Sequence, residues 1–131
     1  GAPAHTRVLP GLRAGSLWGM AGCGSVRGLC FTKGASEIRG ALESLTRAYE
    51  ARVDAIVARA SASSAASKRE LFLMSFGQLA DADGHAALAS AELTIPALVS
   101  GDAAARAASS DAKKQLQHMW ARAYARPDLY G

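Results

Sequence analysis

The sequence predicts an all-α protein: about four helices forming a small bundle or a set of helical hairpins, preceded by an extended Gly-rich N-terminal arm. Three observations predict it. From residue 35 onward, apolar residues recur every three or four positions, the period of a helix with one buried face. No stretch alternates apolar and polar residues as a half-buried strand does. Before residue 35 that period is absent and glycine is frequent. The division is therefore an arm over residues 1–34, a helical domain over 35–126 and an irregular tail over 127–131. A chain of 131 residues is sized for one domain.

The arm carries the charge. Residues 1–33 hold Arg7, Arg13, Arg27 and Lys33 and no carboxylate, so the whole formal charge of +4 resides there and the remainder is balanced. Leu9, Leu12, Trp18 and Met20 offer a short apolar face opposite Arg7 and Arg13. Pro10 and the repeated glycines work against a long helix. Spaced arginines, serines and leucines without acids resemble a mitochondrial or chloroplast transit peptide. That resemblance implies a mitochondrial setting, inner-membrane-associated or matrix, with a plastid as the alternative. The chain opens on Gly rather than Met, and a missing upstream segment is expected. Ordering each arm residue costs roughly 1–2 kcal/mol, so a partner surface is expected to hold it, with Arg7, Arg13, Trp18 and Arg27 in contact. The alternative is an arm that packs back on its own domain. Cys23 and Cys30 have six residues between them, a spacing of neither a redox pair nor a zinc knuckle. They are expected to be thiols.

The first helix is expected from Ser36, read as its N-cap. Ile38, Leu42, Leu45, Tyr49, Val53, Ile56 and Val57 form its apolar stripe, and Glu43 and Arg47 an i,i+4 pair on the other side. The Ser-rich run 61–67 is a turn. A second helix follows from Lys68 to Ala80, with Leu71, Phe72, Met74, Phe76 and Leu79 leaving little of it polar. A helix apolar on most sides is surrounded. This one is expected at the centre of the bundle or in the main partner contact, with Met74 in the core. A turn at 81–84 leads to a third helix, which Pro96 kinks or ends near Thr94. Gly101 stops it and Asp102 caps the last helix. That helix begins with small residues and later sets Leu116, Met119, Trp120, Ala123 and Tyr124 on one face.

The stretch from Asp81 to Glu92 resembles the calcium loop of EF-hand proteins. Asp81 and Asp83 stand at loop positions 1 and 3, Leu88 at 8 and Glu92 at 12. The resemblance implies Asp81, Asp83 and Glu92 as calcium ligands. His85 at position 5 and Ala86 at position 6 depart from the pattern, Gly84 comes two positions early, and no second loop accompanies it. Read from the residues alone, the stretch is a helix-turn-helix corner capped by Asp83, with a decayed EF-hand as the alternative.

No nucleophile, acid or metal-ligand spacing suggests catalysis. His5, His85 and His118 stand apart, and the glycines of the arm lack the strand, Lys and Ser/Thr of a phosphate loop. No cofactor and no small-molecule substrate is expected. Half of the chain is apolar, but largely as alanine, with only three Phe, two Trp and three Tyr. Alanine buries little area at about 25 cal/mol per Å², and such a core borrows surface from neighbours. The expected function is a non-catalytic accessory or structural subunit of a large mitochondrial complex, such as an ATP synthase or respiratory complex. It acts through helix–helix contacts with other subunits, at Phe72, Phe76, Trp120 and Tyr124, and through the anchoring arm. The alternatives are a mitochondrial ribosomal protein whose arm contacts rRNA, an EF-hand-like calcium-responsive regulator, and a peripheral protein whose arm touches a membrane.

Overall fold

The computed structural model describes residues 25–26, 28–63 and 67–129. Two short strands, β1 (Ser25–Val26) and β2 (Leu29–Cys30), pair antiparallel in the register Ser25↔Cys30 and Val26↔Leu29. Gly28 turns between them at a φ of 81°, a conformation that costs a residue without Cβ least. This hairpin departs from the strand-free expectation. Strands of two residues are too short to show an alternating pattern.

Helix α1 spans Ala35–Ala62 and buries Ile38, Leu42, Tyr49, Val53 and Ile56, the stripe its spacing predicts. Its N-cap is Gly34, two residues before the expected Ser36, because the Glu37 carboxylate folds back to accept the Gly34 N–H at 2.8 Å. Helix α2 runs unbroken from Lys68 to Thr94. The two helices expected on either side of a turn at 81–84 are therefore one. Its start is a capping box: the Ser67 hydroxyl accepts from Glu70 N–H, and the Glu70 carboxylate accepts from Ser67 N–H at 2.9 Å.

Pro96 ends α2 at Thr94, and a single turn, α3 (Pro96–Val99), restarts beyond Ile95. In an uninterrupted helix the Ala97 N–H would bond to the Leu93 carbonyl. Here the Ser109 hydroxyl stands between them. It accepts from Ala97 N–H at 2.9 Å and donates to Leu93 C=O at 2.5 Å. Asp102 caps α4 (Ala103–Tyr124) through the Ala104 N–H, as expected. The tail is not wholly irregular: Pro127–Leu129 form a 3-10 turn, and Leu129 packs against the core.

Helices α1 and α2 form an antiparallel hairpin, and α4 lies against both. It starts beside Leu93 of α2, where Ser109 bonds, and ends where Tyr124 meets Asp83 and Arg122 meets Glu50 of α1. Of the fifteen buried apolar residues described, six are alanines: Ala82, Ala86, Ala105, Ala108, Ala112 and Ala123. These small side chains let α4 seat closely on the hairpin. They also make the core thin, as the composition predicts.

Candidate functional site

The three carboxylates of the EF-hand-like stretch lie within α2 and are engaged separately. The exposed Asp81 faces Arg52 of α1, and its backbone carbonyl is 2.9 Å from the His85 ring. Asp83 accepts the Tyr49 hydroxyl at 2.7 Å on one oxygen and the Tyr124 hydroxyl on the other. Glu92 accepts the Cys30 N–H at 2.9 Å and pairs with Lys33 at 3.1 Å. Among the described residues, no group of three or more His, Cys, Asp or Glu could hold a metal ion.

Asp83 ties three helical segments together at one point. Burial raises the Tyr49 phenol above its ordinary range, and the hydrogen bond to Asp83 adds to the shift. Glu92 holds the base of the arm against α2. Cys30 is disulfide-bonded rather than the thiol expected. The chain's other cysteine, Cys23, lies outside the described residues, as do Arg7, Arg13, Trp18 and Arg27. Trp120 is half-buried against the core, and Tyr124 is partly exposed with its hydroxyl committed to Asp83.

Phe72 and Phe76, expected at the bundle centre or in a partner contact, stand elsewhere on the surface. They are 64% and 60% exposed and stacked, their ring centroids 5.8 Å apart. Leu73 and Met74 beside them are 56% and 55% exposed. The second helix is thus not the centre of the bundle, and Met74 is not core. The reason lies in where α4 stops. Tyr124 reaches Asp83, and Arg126 pairs with Asp54 and Asp128. Beyond Asp54 and Asp83, α1 continues to Ala62 and α2 begins at Lys68. Past the third helix the hairpin therefore projects by about 12 Å on α1 and, outward of the buried Leu79, by about 16 Å on α2. Phe72, Phe76, Leu79 and Asp83 fall at spacings of four, three and four, which is one stripe of α2. The end that α4 covers is buried, and the end that projects is bare.

The projecting end is also basic. Arg59, Lys68 and Arg69 are exposed and make no ion pair among the described residues. Glu70 is the only acid between residues 55 and 80. The backbone N–H of Ser67, then its hydroxyl, hold the Glu70 carboxyl below the usual glutamate range. Sequence reasoning passed over these three cations and Leu73, because nothing local marks where a distant helix ends. Phe72 and Phe76 stack on one side of α2, and Leu73 and Met74 extend the exposed apolar surface around the helix.

Two further features complete the surface. A shallow groove between α1 and α4 is lined by Arg39, Glu43, Thr46, Arg47, Glu50 and Gln115, with Glu43 and Arg47 paired at 2.6 Å. Leu98 and Val99 of α3 are exposed at the opposite end. Among the described residues, no helix is long and apolar enough to cross a membrane. Comparison with protein families, curated proteins and solved structures returns no match for this chain.

Proposed function

We propose that the chain is a non-catalytic accessory subunit that joins other proteins of a larger assembly through the bare end of the α1–α2 hairpin. One observation carries the reading: four large apolar side chains, Phe72, Leu73, Met74 and Phe76, each more than half exposed on one projecting segment. Full burial of such a side chain stabilises by about 1.5–3 kcal/mol, and with more than half of each still in water roughly half of that is left for a partner helix to supply. The leader-like composition of residues 1–33 supports a mitochondrial complex as the setting, such as an ATP synthase or respiratory complex. The disulfide at Cys30 favours a compartment that oxidises thiols. A second reading, a ribosomal protein, is supported by the four cations and absent acids of that arm.

Replacing Phe76 with a photo-cross-linking benzoylphenylalanine in the cell that makes the protein tests the first reading. A discrete protein adduct at position 76, absent from the same probe at the exposed Lys113, is the expected result. An RNA adduct moves the reading to the ribosome, and no adduct at all removes it.

A further inference from the structure

The next step rests on the accessory-subunit reading and names the chemistry of the partner. Helix α4 ends at Tyr124, but the seat it occupies between α1 and α2 does not end there. On α2 the stripe continues through Leu79 to Phe76 and Phe72. On α1, Ile56 is buried at the base of the projecting segment, and Val57 and Ala60 are half-buried beyond it. A groove between two helices is shaped for a third. The vacant length, from Lys68 to Phe76 on α2, is about 12 Å and takes at least two turns of helix.

We propose that this seat is filled by an acidic amphipathic helix of another protein, lying in line with α4, its apolar stripe on Phe72 and Phe76. Charge selects that occupant. Arg59, Lys68 and Arg69 border the seat without ion-pair partners among the described residues. The nearest acid on the hairpin, Glu70, is held by the Ser67 N–H and hydroxyl, and the next, Asp54 and Asp81, already face Arg126 and Arg52. A second copy would bring a like set of cations onto this one. The chain's own arm, with four basic residues and no acid before residue 34, has the wrong sign. An anionic membrane has the right sign and the wrong geometry. Lys68 and Arg69 precede the rings on α2 and stand nearer the hairpin's end, so end-on insertion would carry cations into lipid ahead of Phe72.

The test uses the full chain and two fluorescein-labelled helical peptides sharing one leucine stripe, flanked by Glu in one and by Lys in the other. Fluorescence anisotropy should show the Glu-flanked peptide binding at least about ten-fold more tightly at low salt. Phe72→Ser with Phe76→Ser should abolish that binding, with circular dichroism unchanged. Lys68→Glu with Arg69→Glu should reverse the preference. Equal affinity for both peptides through Phe76 overturns the charge assignment and leaves the accessory-subunit reading in place. Binding to phosphatidylserine-containing vesicles with no peptide binding, or dimerisation that Phe76→Ser abolishes, overturns the partner class. Loss of the cross-link at position 76 in the cell is a separate failure, of the reading beneath.

Discussion

Ser109 is the single polar side chain among the buried residues described, at 0% exposure, and its position gives it a particular task. A proline removes a donor and pushes the preceding turn away. The break at Pro96 leaves the Leu93 carbonyl and the Ala97 N–H without each other, and the hydroxyl serves both. Ser109→Ala leaves both groups buried and unpaired, at about 1–3 kcal/mol. Urea denaturation should show that loss, and a change under about 0.5 kcal/mol would mean the hydroxyl is not inserted. Tyr49 gives a second prediction at this scale. Its phenol holds its proton to higher pH when folded than its ordinary value of 10.0, because burial and Asp83 both oppose the phenolate. Its contribution is complete below about 10 and is lost as the pH climbs, since the unfolded chain releases the proton first. Tyr49→Phe should therefore be less stable than the parent at pH 8, and the gap should narrow above pH 10. A gap that does not change with pH would place the hydroxyl in solvent.

At the scale of elements, α2 decides most. An interior glycine costs a helix about 1 kcal/mol against alanine, and Asp81, Asp83 and Gly84 together read as a turn. The tertiary contacts outweigh that local preference. Ala82 and Ala86 are buried, and Asp83 is held by two tyrosines lying 34 and 41 positions away in the chain. Gly84→Ala distinguishes the two conformations. Nothing lies within 4 Å of a Cβ added at Gly84, so the replacement should stabilise by about 0.5–1 kcal/mol in thermal melts. A destabilisation would mean that residues 81–84 do turn.

The same element shows what the sequence could reveal. The stripe of α1, the stop at Thr94 and the cap at Asp102 were legible, because spacing, proline and cap chemistry are local. The capping box of Ser67 and Glu70 was equally local and was missed, hidden by the serines around it. The Tyr49–Asp83–Tyr124 junction and the insertion of Ser109 were not legible, because each joins residues from different helices.

At the scale of the whole molecule, interior and surface divide the apolar residues unevenly. A core that is two-fifths alanine buries little area for its length, while the largest apolar side chains of α2 face outward. Composition foretold the thin core. It could not tell that Phe72 and Phe76 lie on the uncovered part of α2, because that depends on the length of α4 and not on α2 itself.

The end of α4 at Tyr124 has a consequence for engineering. Three more turns of helix after Tyr124, replacing the 3-10 turn and carrying leucines at the helical interval with glutamates beside them, would fill the vacancy from within. Such a chain should be sturdier on its own and should no longer bind the proposed acidic helix, because the place where α4 stops is what leaves Phe72 and Phe76 bare.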